Sequence, residues 1–192
     1  SLTFVQCFPL ALIGDTAAYV DLSKCCYYDS RQNDVKMLVC AMNMYKRHHY
    51  SEACFDVFYI ISSLYEEIAP MDSFAIRLSL KYLEMGANDN NKDCLDLLSY
   101  LYLGGNKVLP WDTIKGREYL IKYENGDTVK ADSVIDCVYR EYWTEEYKAI
   151  REVPKMYSDN PWSKKFLELT MRLLLQVDEK WDSLYSPLHL LP

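Results

Sequence analysis

Apolar residues recur at helical spacing along nearly the whole chain. The runs VKMLVCAMNMYKRHH (35–49), EACFDVFYIISSLYEEI (52–68) and SFAIRLSLKYLEM (73–85) place apolar side chains three and four positions apart. This spacing puts them on one face of an α-helix. Strand-like alternation of apolar and polar residues is nearly absent. The pattern therefore predicts an all-α fold.

Helix-capping residues bracket these runs. The preferred N-cap residues Ser and Asp precede the apolar-periodic segments at Asp15, Asp34, Ser51, Asp72 and Asp112. Asp93 or Lys92 is expected to start a further helix. Gly86 and Gly126 follow two of the runs, where a left-handed glycine commonly ends a helix. The Asn160-Pro161 pair predicts a last helix that reaches Tyr185.

A fixed period underlies the helices. Tyr28, Tyr65, Tyr102 and Tyr139 are each 37 residues apart. Around each Tyr recurs a frame of a small or apolar residue, an apolar residue four later, a small residue next and the Tyr three later. In the third copy this frame reads Cys94, Leu98, Ser99 and Tyr102. Two helices and two turns occupy about 34 to 45 residues, so the period indicates stacked helix pairs.

Residues 94–127 resemble a Sel-1-like repeat of the tetratricopeptide superfamily. The matching positions are Cys94, Leu98-Ser99, Tyr102, Gly105, Val108, Asp112, Lys115-Gly116, Tyr119 and Gly126. The segment departs from the family frame with Cys for Ala, Ser for Gly, Gly116 for Ala and a closing Gly one residue early. Residues 53–87 match as a second copy with a shortened loop, and the copies at 17–50 and 129–153 are degenerate.

The resemblance implies a right-handed α-solenoid in a single domain, residues 1–192. We expect repeats at about 17–50, 53–87, 94–127 and 129–153 and a C-terminal capping helix at about 160–185. In such stacks the first helix of each pair lines the concave face. Leu22 and Leu103 are expected on that face, together with eight predicted partner-binding residues: Tyr19, Asp29, Asp56, Tyr59, Glu66, Asp93, Asp96 and Tyr100.

Charge and composition restrict the partner. The formal net charge is −7 and 17 of the 192 residues are Tyr. An acidic chain repels phosphate backbones, so nucleic acid is not expected as a ligand, and no apolar run approaches the length of a membrane-spanning helix. The seven Cys include no CxxC pair and favour reduced thiols in a cytoplasmic protein. Ser1 stands where an initiator Met would, so the expected location allows for a removed N-terminal segment.

No pattern of catalytic residues is visible. The chain contains no GxSxG, GxxxxGK[ST], HExxH or GxGxxG motif. His48 and His49 point about 100° apart on a helix, which favours a polar helix end over a metal site. We therefore expect no enzyme, no metal and no cofactor. The alternative is a small-ligand binder or enzyme on the same helices with Cys26 or Cys54 as nucleophile, or a structural subunit of a larger assembly.

The predicted function is protein binding through an acidic, tyrosine-bearing groove. Carboxylates steer and pair with Arg or Lys, while Tyr provides contact area at low entropic cost. The partner is expected to be a basic protein: a toxin, an effector or a subunit of a complex. Resemblance to Sel-1-like proteins implies an adaptor or, among small bacterial members, an immunity protein that neutralises a toxin.

Overall fold

The computed structural model describes residues 3–28, 33–65, 71–104, 109, 112–142 and 163–185. Within these ranges the chain is all-α, as predicted, with nine helices and no strand. The helices are α1 (Phe4–Leu12), α2 (Thr16–Tyr28), α3 (Asp34–His48), α4 (Glu52–Tyr65), α5 (Ser73–Asn88), α6 (Lys92–Gly104), α7 (Thr113–Tyr123), α8 (Thr128–Tyr142) and α9 (Lys164–Tyr185).

Aspartates begin several helices through side-chain hydrogen bonds. The Asp72 carboxylate accepts from the backbone N–H groups of Phe74 and Ala75 at 2.8 and 3.0 Å. Asp112 accepts from the N–H of Lys115 at 3.0 Å. Each bond satisfies a donor that the first turn of a helix leaves without a partner. The predicted starts of α5 and α7 are confirmed.

The expectation for the end of α5 was wrong, whereas α6 begins at Lys92 as predicted. Gly86 does not end α5, because the helix continues to Asn88 and the left-handed backbone occurs at Asn90 instead. Gly86 lies inside the helix against α6, where a Cβ atom would come within 2.5 Å of the Cys94 sulfur. The cap of α6 is Asn91, whose side-chain oxygen accepts from the Cys94 N–H at 3.0 Å. Close helix packing, rather than a turn, requires this glycine.

The N-terminal segment adds a helix that the apolar pattern did not indicate. In α1 the side chain of Gln6 accepts from the backbone N–H of Thr3 at 2.9 Å, which forms part of a capping box. Cys7 and Ala11 are fully buried, and α1 packs against α2 and α3. The first described helix thus covers the start of the helix row.

Successive helices pack against each other from α1 to α8. The main core draws on α1 to α6 and on α9, and a second, smaller cluster joins Leu103, Leu120 and Ala131 from α6, α7 and α8. Gly116 allows the close approach of α7 to α6, since a Cβ atom there would lie 2.6 Å from Leu103. Tyr65 and Tyr102, two members of the 37-residue series, are both buried.

Two contacts join residues that are one period apart. The Tyr19 hydroxyl on α2 donates to the Asp56 carboxylate on α4 at 2.6 Å, across 37 positions. The rings of Tyr45 on α3 and Tyr82 on α5, also 37 positions apart, meet edge to face at 6.0 Å. Alternate helices therefore touch at equivalent positions of the sequence period.

The C-terminal helix packs on the middle of the row. A helix that caps a row of pairs would cover the last pair, whereas within the described part of the chain the main contacts of α9 are with α5 and α4. Leu167, Met171 and Leu175 enter the main core from α9. Near the start of α5 the Arg172 guanidinium of α9 lies over the Phe74 ring, and further along Lys81 of α5 pairs with Asp178 of α9. The expected position at the end of the row is therefore corrected.

Candidate functional site

Four of the predicted partner-binding residues form an exposed set on α4 and α6, two helices that contact each other. Tyr59 on α4 is 44% exposed and Tyr100 on α6 is 42% exposed. Asp93 and Asp96 are exposed in the first two turns of α6. We call these residues the acidic tyrosine face. Exposed aromatic rings beside carboxylates suit contact with a basic, partly apolar segment.

Asp96 lies in a negative environment. Partial burial, followed by the charges of Asp93 and Glu124, raises the pKa of its carboxyl above the ordinary value. Glu124 forms an ion pair with Lys130, and this pair spans the turn between α7 and α8. A carboxylate whose charge is disfavoured by its neighbours gains when a cation approaches. This arrangement favours Lys or Arg near Asp96.

Other predicted positions lie elsewhere. Tyr19 is 1% exposed, because its ring packs edge to face on Tyr50 at 5.5 Å and its hydroxyl reaches Asp56. The prediction that Tyr19 faces a partner was therefore wrong. Asp56 is half-buried in the same bond. Leu22 and Leu103, also expected to face outward, are buried.

Two further predicted residues, Asp29 and Glu66, lie outside the described residues. Their place relative to the acidic tyrosine face stays a prediction.

A second polar cluster was not indicated by any sequence pattern. Asp178 on α9 is 2% exposed and accepts from the Tyr82 hydroxyl at 2.7 Å. Lys46 lies 3.3 Å from Asp178, and Lys81 also pairs with it. Both lysines pair with Asp182 one turn further along α9. We call these five residues the α9 anchor, because they join α9 to α3 and α5.

The α9 anchor shifts the pKa of three of its members, Asp182, Lys81 and Tyr82. Burial disfavours ionisation of Asp182, but hydrogen bonds to Lys46 and Lys81 outweigh it and lower the pKa of this carboxyl. Burial likewise opposes the charge of Lys81, and the two aspartates raise its pKa. Burial, and then the charge of Asp178, raises the pKa of Tyr82. Two cations and two anions therefore balance in a partly dry site.

The buried thiols are poor nucleophiles. Cys54 and Cys94 are fully buried, and burial raises the pKa of both, that of Cys94 to about 12. Burial also raises the pKa of Cys40 to about 12. A reactive cysteine needs an accessible thiolate. Cys54 is therefore corrected as a candidate nucleophile, while the side chain of Cys26 lies outside the described residues.

No group of three or more His, Cys, Asp or Glu side chains among the described residues has an arrangement that would hold a metal ion. None of the described helices combines the length and apolar character needed to cross a bilayer. None of the protein-family models, curated proteins and solved structures compared with the chain matches it.

Proposed function

We propose that this chain is a non-catalytic protein-binding module of Sel-1-like repeats, whose acidic tyrosine face receives a basic segment of a partner. The observation that carries the proposal is that two half-exposed rings, Tyr59 and Tyr100, and two exposed carboxylates, Asp93 and Asp96, lie on two helices that contact each other. Aromatic residues are enriched where proteins meet.

The helix order supports the repeat assignment. Tyr19 with Asp56 and Tyr45 with Tyr82 are contacts across one sequence period, as stacked equivalent helices would make. The close approach at Gly116 suits the small residue of the Sel-1-like frame. A stack of this kind would present its first helices on one surface, and Tyr59 and Tyr100 belong to the first helices, α4 and α6, of the second and third proposed repeats.

The electrostatics support a cationic partner. Neutral or acidic ligands would leave the mutual repulsion of Asp93, Asp96 and Glu124 unrelieved. A Lys or Arg side chain that approaches Asp96 offsets it and forms a charge-assisted hydrogen bond. The formal net charge of −7 adds long-range attraction for a basic protein.

Affinity capture from the native lysate at two salt concentrations tests the proposal. The bait is the full chain, compared with the variant Asp93→Asn plus Asp96→Asn and with the charge-matched control Glu84→Gln plus Glu168→Gln. Both variants lose two negative charges at exposed positions. We expect one stoichiometric basic protein that the wild type and control retain at low salt and that the Asp93/Asp96 variant loses.

The partner's identity then separates the two roles. A nuclease, pore-forming or other toxic domain inhibited by the chain would indicate an immunity protein, and a subunit of a complex would indicate an adaptor. Capture of the same proteins by all three baits would show that the acidic tyrosine face is not the binding site. Capture of nothing at either salt concentration would contradict the binding function itself.

A further inference from the structure

The C-terminal helix is apolar on two sides. Its inner side buries Leu167, Met171 and Leu175 in the core. Its outer side carries Phe166, Leu169, Leu173 and Val177, which are 43%, 55%, 52% and 58% exposed. At about 100° per residue, these four positions fall within an arc of roughly 80°. We call them the α9 stripe.

Most large apolar residues elsewhere on the described surface stand singly, whereas this stripe is continuous over three turns. Isolated exposed apolar residues are normal, but a contiguous exposed row marks an interaction surface. The α9 anchor holds the helix that carries the stripe, through Lys46, Lys81, Asp178 and Asp182. The stripe is therefore presented on a rigid element.

Charge defines what this row accepts. Lys165 and Arg172 lie on one flank of the stripe, and Lys180 lies in line with the stripe one turn beyond Val177; all three are exposed. Glu179 lies on the same flank, where its charge is paired with Arg77 on α5. Arg172 also lies over the Phe74 ring at 5.9 Å. An apolar row with a basic flank complements an amphipathic helix whose apolar face is edged by Glu or Asp. This preference is opposite to that of the acidic tyrosine face.

We propose that the α9 stripe is a second docking surface, which takes an acidic amphipathic helix of a partner protein. A second copy of the chain fits less well, because its stripe carries the same basic flank and the two flanks would repel each other. An anionic membrane fits less well because its extended surface faces the net charge of −7 of the whole chain, whereas a single helix faces the stripe and its basic flank alone. The chain would then join a basic partner to an acidic one.

Two synthetic helical peptides of about 20 residues provide the probe. Both carry the same leucine stripe; one has Glu at its flanking positions and the other has Lys. Fluorescence anisotropy with the full chain is expected to show saturable binding of the Glu peptide. In the variant Asp93→Asn plus Asp96→Asn, which neutralises the carboxylates of the acidic tyrosine face, the Lys peptide is expected to bind at least about tenfold more weakly than the Glu peptide.

Variants locate the binding. Leu169→Gln plus Leu173→Gln is expected to weaken binding of the Glu peptide at least about tenfold. Ile114→Gln plus Val129→Gln, which removes two apolar side chains that are 72% and 79% exposed elsewhere, is expected to leave it unchanged. Lys165→Glu plus Lys180→Glu should shift the preference to the Lys peptide. Far-ultraviolet circular dichroism establishes that each variant folds.

Four results would overturn the proposal. These are equal binding of both peptides to the Asp93→Asn plus Asp96→Asn variant, no binding of the Glu peptide at about 1 mM, self-association of the free chain that Leu169→Gln plus Leu173→Gln abolishes, and binding to anionic vesicles in preference to the Glu peptide. Asp93→Asn plus Asp96→Asn is expected to leave binding of the Glu peptide unchanged, so failure here is distinguishable from failure of the acidic tyrosine face.

Discussion

The buried hydroxyl of Tyr19 donates to the half-buried carboxylate of Asp56 at 2.6 Å, and the two residues are 37 positions apart. This distance along the chain equals the period of the Tyr28, Tyr65, Tyr102 and Tyr139 series. This bond between positions one period apart ties α2 to α4, two helices that are not consecutive. It accounts for the burial of a tyrosine that the resemblance to tetratricopeptide-like stacks placed outward.

Removal of the Tyr19 hydroxyl is expected to destabilise the chain. Tyr19→Phe deletes a hydrogen bond to a charged group, which contributes about 1.5–3 kcal/mol to the free energy of unfolding. Urea denaturation of Tyr19→Phe, Asp56→Asn and the double variant measures their coupling, expected at about 1 kcal/mol or more. Tyr123→Phe is the control and should change stability by less than about 0.5 kcal/mol. Additive single effects would show that the bond contributes nothing.

The α9 anchor predicts that Lys46→Met lowers the stability of the chain more than Arg77→Met does. Lys46→Met leaves Asp178, whose side chain is 1% exposed, without one of its two cations, and breaking such a buried pair costs about 3–5 kcal/mol. Arg77→Met breaks only the exposed ion pair with Glu179, which also joins α5 to α9. It should lower the free energy of unfolding by less than about 1 kcal/mol. Chemical denaturation compares them, and equal losses would contradict a structural role for the α9 anchor.

The same cluster makes the stability of the chain depend on pH in the acidic range. The folded pKa of Asp182 lies below its unfolded value of about 3.8, so its stabilisation is present above that pH and is lost as the pH falls through the lower folded pKa. The stability difference between the wild type and Asp182→Asn should therefore shrink between about pH 5 and pH 2. Urea midpoints at several pH values measure it. A difference that grows on acidification would contradict the assigned direction.

Asp132 provides the salt control for this effect. Its pKa is lowered too, through the exposed pair with Arg117. Because exposed charges are screened by salt, about 1 M NaCl should remove the effect of Asp132→Asn and leave most of that of Asp182→Asn.

Local features of the fold were predictable from the sequence, and distant pairings were not. Asp72 and Asp112 act on N–H groups two or three residues away, so their capping role can be read from a few neighbouring letters. Lys81 meets Asp178 across 97 positions, and no local pattern selects one lysine and one aspartate among the chain's many charges. The resemblance to tetratricopeptide-like stacks placed Tyr59 and Tyr100 outward, and both are exposed, but it did not reveal that Tyr50 covers Tyr19.

Gly86 illustrates the same limit and yields a prediction about packing. Its Cβ position lies 2.5 Å from the Cys94 sulfur and 2.8 Å from the Cβ atom of Cys54, so Gly86→Ala should overpack this contact and destabilise the chain by about 1–3 kcal/mol. Cys94→Ala removes the nearer atom, and adding it to Gly86→Ala should recover part of the loss. Thermal unfolding of both single variants and the double variant measures this, and strict additivity would contradict the steric explanation.

Asp96 is expected to trade stability for binding. Its folded pKa is raised, so ionisation of this carboxyl opposes folding at neutral pH and ceases to do so once the pH falls below the unfolded value of about 3.8. Asp96→Asn should therefore raise the melting temperature slightly at pH 7 and leave it unchanged near pH 3. At pH 7 the same substitution should weaken binding of the basic partner. A lower melting temperature at pH 7 would show that the carboxylate is satisfied within the chain.

Carboxyl NMR titration tests the cause directly. Asp93→Asn and Glu124→Gln each remove a neighbouring negative charge, so each should lower the pKa of Asp96 toward its ordinary value, whereas Asp132→Asn, an exposed carboxylate paired with Arg117 elsewhere, should not. If neither neighbour changes it, burial alone raises the pKa. An approaching cation would then gain nothing from relieved repulsion, and the selectivity of the acidic tyrosine face for basic segments would need to rest on Tyr59 and Tyr100.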